Sequence, residues 1–139
     1  MTDSFELSVF IPGFSANQIY NAWLDSAEHS AFTGSPAQVD LEGESRFTAW
    51  DGYISGRTLE IEPYHRILQS WRTTEFPESS PDSRLEILIK NEENGAQITL
   101  LHSNIPSGQG QNYRSGWEEY YFEPMLRYFS ADHRTSKQE

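Results

Sequence analysis

Four histidines, twenty-one carboxylates and no cysteine bound the chemistry open to this chain. Thiolate nucleophiles, thiolate metal ligands and disulfides are excluded outright. A zinc hydrolase needs several ligands converging within about 2 Å of one ion, often from a helical His-Glu-x-x-His spacing. Here His29, His65, His102 and His133 are isolated in sequence, and no metal site is assigned. There is no Gly-x-Ser-x-Gly elbow and no phosphate-binding P-loop. Gly108-Gln109-Gly110 reads as a loop leading into a helix rather than a dinucleotide cradle. The carboxylate pairs Glu60/Glu62, Glu92/Glu93 and Glu118/Glu119 read as solvated faces. General acid–base catalysis requires one acid held in a pocket with a shifted pKa, and adjacency supplies neither. No catalytic residue, metal or organic cofactor is therefore assigned.

The remaining candidates are aromatic. Trp50, Trp71, Trp117 and Tyr121 are predicted to lie along a seam between a sheet and a helix, where such rings either fill a core or wall a cavity for an apolar ligand. His102 joins them as the polar candidate for ligand binding, because it shares strand parity with Ile98 and Leu100 and should face the concave interior. Two readings of it stay open: a group that orients a ligand or shuttles a proton near neutral pH, and a core histidine bonded to backbone or water. Arg72 has the opposite parity from Trp71, so both cannot face inward without a bulge.

The elements that must position these residues follow from periodicity. Phe5, Leu7, Val9 and Ile11 alternate with polar positions and predict a first strand. Ser15 is a plausible N-cap for a helix through Ile19, Tyr20, Trp23 and Leu24, and Asp25 caps a second short helix toward Phe32, ended by Gly34, Ser35 and Pro36. From Ala37 to Ile105 short strands follow one another without a helix-length crossover, which predicts an antiparallel meander. Asp51-Gly52 and Asn94-Gly95 are read as type I′ hairpin turns, with positive φ at both residues. Ile54 has even parity whereas Leu59 and Ile61 have odd parity, and a bulge or bend at Gly56 is expected to reconcile them. A last helix from about Tyr113 to Ala131, about 28 Å long, carries an aromatic stripe. Pro124 should kink or interrupt it near Tyr120. The stretch 132–139 has no apolar face and is expected to fray, leaving one domain over 1–131.

Composition narrows the partners. A chain of 139 residues is the size of one domain, and aromatic content of 14% concentrates its apolar area into few large side chains. The formal charge of −11 opposes a phosphate backbone, so nucleic acid is not an expected partner. No apolar run approaches the roughly 20 residues needed to span a bilayer, and the N-terminus lacks the basic start of a signal peptide. With no cysteine, this points to the cytoplasm. Oligomeric state is not encoded in any pattern found.

The order of elements meets specific words in FSANQIYNAWLDSAEHSAFTG, DGYISGRTLEIEP, RILQSWR, ITLLHSNIP and the Gly116-Trp117 opening of the last helix. Together, and in this order over nearly the whole chain, they resemble the homologues of the activator of the heat-shock protein ninety ATPase, within the START-like (SRPBCC) helix-grip superfamily. The resemblance implies an α+β fold, a curved antiparallel sheet gripping a long C-terminal helix with two short helices after the first strand, often around an elongated apolar cavity. Members include small-molecule binders, aromatic polyketide cyclases and chaperone regulators. The eukaryotic activators carry an additional N-terminal domain that engages the chaperone, whereas this sequence begins at the helix-grip domain. The leading expectation is a binding module for an apolar or amphipathic small molecule, contacted by Trp50, Trp71, His102, Trp117 and Tyr121. The alternatives are a regulator of a heat-shock protein ninety chaperone, or a cyclase or hydrolase acting on an aromatic substrate with His102 or a buried carboxylate moving a proton.

Overall fold

The period-two alternation of the first eleven described residues builds β1 (Thr2–Pro12), whose Leu7 and Ile11 are buried while Glu6 and Ser8 face solvent. The structure, a computed structural model, describes residues 2–41 and 45–129. After β1 the Ser15 hydroxyl accepts from the Gln18 amide and the Gln18 side chain returns a bond to the Ser15 amide, a capping box that starts α1 (Ala16–Trp23). Asp25 accepts from the Glu28 amide to start α2 (Ser26–Thr33), which closes on Gly34 at φ 79°.

Among the described residues six further strands follow: β2 (Gln38–Val39), β3 (Arg46–Ala49), β4 (Ile54–Glu62), β5 (Arg66–Thr73), β6 (Ser83–Glu92) and β7 (Gly95–Pro106). All neighbours pair antiparallel in the order β1-β7-β6-β5-β4-β3-β2, so the first strand lies against the last and the remainder is a meander. The last helix runs over 110–129 as α3 (Gly110–Trp117), a π-helical turn (Glu118–Phe122) and α-helical backbone over 123–129. The expected α+β helix-grip fold is thus the fold observed.

Its inward stripe is Tyr113, Trp117, Tyr121, Met125 and Phe129, each four residues on. In an unbroken α-helix such a stripe drifts by about 40° per step. The wider π turn takes up the drift, and its bond from the Glu123 amide to the Glu118 carbonyl ends just before Pro124, which has no N–H to offer. The expected interruption near Tyr120 therefore takes the form of a π turn.

Local expectations are corrected at three places. The helix opens at Gly110, one turn before Tyr113, because the Asp3 carboxylate of β1 accepts from the Gly108 and Gly110 amides at 2.9 Å each and caps it from outside. The β4–β5 ladder runs in register through Gly56 and slips between Thr58 and Glu60, so the bulge falls at Leu59, which is 53% exposed. The second turn spans Glu93-Asn94, since Glu92 pairs with Gly95; Asn94 takes φ 69° and Gly95 already belongs to β7. The expected reach of the last helix to Ala131 and the frayed tail lie outside the described residues.

Candidate functional site

The strand parity of β5 turns Trp71 inward and Arg72 outward, where Arg72 binds Asp82 at 2.8 Å and the Ser80 carbonyl at 3.0 Å, holding the β5–β6 loop. Facing Trp71 across the sheet–helix seam are Tyr113 and Trp117, with ring centroids at 5.0 and 5.9 Å. Tyr121 continues the stripe 4.5 Å from Trp117. The β3–β4 turn brings Trp50 over the helix, edge-on to Tyr120 at 5.8 Å. Trp50, Asp51 and Gly52 all have left-handed backbone, at φ 54°, 57° and 89°. For a bulky residue such as Trp50 this conformation is costly, so the turn holds its indole in place against a local preference.

Between these elements lies a cleft of about 350 Å³. It is lined by Trp50, Trp71, Trp117 and Tyr121 together with Tyr53, Ile54, Asn112, Tyr113, Gly116 and Tyr120. The structure thus brings four of the five sequence-derived candidates to one cavity. His102 lies behind it, packed on Trp71 at 4.6 Å. Tyr113 and Tyr120 sit four before and three after Trp117 on the helix, so helical spacing from that residue points to both. Tyr53 follows Asp51-Gly52 out of the turn, and nothing in its local pattern singles it out. Gly116 contributes by its lack of a side chain, leaving room on the helix face between Asn112 and Tyr120.

Polar groups under the cleft are matched in pairs. The Trp117 indole Nε1–H, which can only donate, lies 3.1 Å from His102 Nδ1. The His102 proton is then on Nε2, which donates to Ser83 Oγ at 2.9 Å, while the Ser83 hydroxyl donates to the Trp71 carbonyl at 2.7 Å. His29 repeats the arrangement in the opposite tautomer. Its Nδ1–H donates to the Trp23 carbonyl and its Nε2 accepts from the Tyr121 hydroxyl, both at 2.9 Å. Burial holds both imidazoles neutral, lowering His29 to about 4 and His102 to about 3, and pushes the Tyr121 phenol upward.

At the rim, the Thr73 hydroxyl and Tyr113 hydroxyl are 2.7 Å apart, and Tyr113 donates to the Gln109 side chain at 2.6 Å. The Tyr53 hydroxyl donates to the Glu75 carboxylate; burial first, then that bond, pushes Tyr53 up to about 12. Away from the cleft, Glu60, Glu62 and Glu86 gather around Arg66 at 2.9, 3.4 and 2.5 Å, so the first carboxylate pair belongs to a surface ion network. Among the described residues no group of three or more His, Asp or Glu side chains is placed to hold a metal ion, and no helix is long and apolar enough to cross a membrane.

A curved antiparallel sheet closed over one long helix, with an aromatic cleft at the seam, defines a START-like helix-grip protein. The chain belongs to the family described as "Activator of Hsp90 ATPase homolog 1-like protein", which it matches over residues 14–130. It is 28% identical over 116 residues to the human activator of 90 kDa heat shock protein ATPase homolog 1, covering 83% of this chain and 34% of that protein. An uncharacterised Schizosaccharomyces pombe protein is 23% identical over 114 residues, again over 34% of its length. The chain thus spans about a third of these curated relatives. Among solved structures, an HSP90 activator from Plasmodium falciparum superposes with a TM-score of 0.76 at 26% identity, covering 86% of this chain and 91% of that one. A Mesorhizobium loti protein superposes equally well, TM-score 0.76, at 14% identity over 93% of this chain and 98% of its own, which speaks to the fold alone.

Proposed function

We propose that this domain reversibly binds a flat apolar or amphipathic small molecule in the cleft between the β3–β4 turn and the last helix. The observation that carries the reading is the wall of the cleft: about 350 Å³ bounded by ten residues, of which seven are aromatic. That volume lies within the range of small-molecule sites, which are mostly apolar with a few placed polar groups. A ligand burying about 200 Å² of apolar area gains roughly 5 kcal/mol before the cost of association. Trp50, Trp71, Trp117 and Tyr121 supply the stacking surfaces. His102 acts from behind, accepting directly from the Trp117 indole and reaching the Trp71 carbonyl through Ser83.

Titration with a lipophilic aromatic ligand, followed by tryptophan fluorescence, tests the reading, because three of the four tryptophans line the cleft. A saturable change is expected, and Trp50→Gly should weaken it by at least about tenfold. Glycine takes the left-handed backbone of position 50 without strain, so lost binding there is separable from lost folding. No saturable change with any lipophilic ligand sinks the reading.

A second reading rests on the family itself and on the human and Plasmodium relatives named as activators of the 90 kDa heat-shock protein. In that reading the exposed face of the domain associates with such a chaperone.

A further inference from the structure

Resting on the small-molecule reading, the electrostatics of the cleft narrow its ligand. None of the ten lining residues carries a charge, and seven present aromatic rings, whose faces are negative. Four of the lining donors are committed to protein partners, while the indoles of Trp50 and Trp71, the Asn112 amide and the Tyr120 hydroxyl are not among them. Tyr113 gives its proton to Gln109, Tyr121 to His29, Tyr53 to Glu75, and the Trp117 indole to His102. An anionic ligand would find no cationic side chain among the lining residues, while ring faces and phenol lone pairs are on offer to a cation. At the rim stands the exposed Glu75 carboxylate, held by Tyr53, whose ring lines the cleft. The whole chain adds a formal charge of −11, a field that concentrates cations and depletes anions near the mouth.

We propose that the cleft selects a cationic apolar ligand, an aryl- or alkyl-ammonium, with its hydrocarbon body between Trp50, Trp71 and Trp117 and its ammonium near Tyr53 and Glu75. An alkylated ammonium suits such a site better than a small hydrated ion, because its charge is spread over methyl groups that pack on the rings.

Three benzyl compounds test this: benzyltrimethylammonium, its neutral isostere neopentylbenzene, and the smaller anion phenylacetate. Each is titrated by tryptophan fluorescence into the wild-type chain and into Glu75→Gln, whose exposed position and retained acceptor for Tyr53 should leave the fold intact, as circular dichroism checks. The cation is expected to bind at least about fivefold tighter than the isostere, within the range of cation–π contacts in partly desolvated sites, and phenylacetate weakest. Glu75→Gln should weaken the cation by about threefold and change the isostere by less than about twofold, as expected when one rim charge is removed. If neopentylbenzene or phenylacetate binds as tightly as the cation, the charge selection is refuted while apolar binding stands. Equal losses for cation and isostere in Glu75→Gln would remove the rim carboxylate from the proposal. If none of the three binds saturably, the cationic proposal falls, and the small-molecule reading is decided separately by the wider lipophilic titration.

Discussion

At the level of single residues, the two histidines buried among the described residues, His29 and His102, shape how the domain answers to acid. Both are neutral in the folded state with every ring nitrogen bonded, and burial lowers them to about 4 (His29) and about 3 (His102) from an ordinary 6.5. The unfolded chain therefore binds more protons than the folded one as pH falls below about 6.5, and stability is lost in that direction. At pH 5 each histidine should have cost roughly 2 kcal/mol relative to pH 7.5, about 4 kcal/mol together. Urea unfolding across that range measures the loss. His102→Gln keeps a donor for Ser83 and an acceptor for Trp117 but does not titrate, so it should remove about half of the loss. Comparing the two proteins also isolates the histidine effect from the relief of charge repulsion that both share. An unchanged pH slope in the variant would show that His102 is not held neutral in the core. Of the two sequence readings of His102, the geometry around it is that of a bonded core histidine, but its partners are the Ser83 and Trp117 side chains rather than backbone or water; parity could not convey that Trp71 and Trp117 stand between it and the cleft.

At the level of elements, glycines mark where backbones approach, and not always where periodicity breaks. A Cβ on Gly56 would lie 1.9 Å from the Ser70 carbonyl oxygen and 2.9 Å from the Phe47 ring. The first of these is backbone and cannot swing aside, so Gly56→Ala should destabilise by at least about 2 kcal/mol, read as a lower urea midpoint. A loss under about 0.5 kcal/mol would mean that the sheet yields there. The sequence pointed to Gly56 because Leu59 and Ile61 fell on the wrong parity for a buried face. They are exposed, at 53% and 42%, and the slip sits at Leu59 instead. The slip does restore parity for Ile61, which pairs with the buried Ile67 and shares its face, while Leu59 is the extra residue of the bulge; Gly56 marks close packing instead. Gly95 misled in the same way: it meets the Ile11 carbonyl and the Phe10 ring of β1, so it serves strand contact while Asn94 makes the turn. Caps and strand alternation were legible because their signals are local. The start of the last helix was not, since its cap, Asp3, comes from the other end of the chain. The cleft was half legible for a similar reason: helical spacing and strand parity give Trp71, Trp117 and Tyr121, whereas Tyr53 and the Glu75 it binds meet only through the pairing of β4 with β5.

For the molecule as a whole, the excess of acidic over basic groups is the property most able to direct association. A formal charge of −11 on 139 residues gives a field that reaches beyond contact at low salt and is cut to about 8 Å at physiological ionic strength. If the domain meets a 90 kDa heat-shock chaperone through a basic patch, the association rate should fall by about tenfold as salt rises from about 0.02 to 0.15 M, with a smaller change in dissociation. Stopped-flow mixing with the cognate chaperone measures both rates, and ATP hydrolysis recorded in the same samples separates docking from stimulation. That separation matters because the chain matches only 34% of the length of the human activator, and docking and stimulation need not lie in the same third. Salt-dependent binding with faster hydrolysis would place activation within the helix-grip domain. Binding without faster hydrolysis would leave an adaptor. Binding indifferent to salt would refute steering by the acidic surface and turn attention to exposed apolar residues such as Leu59 and Ile61 in the second half of β4. No binding at either ionic strength would remove the chaperone reading. The aromatic cleft would then be the remaining candidate for function, and its ligand titrations do not depend on any chaperone being present.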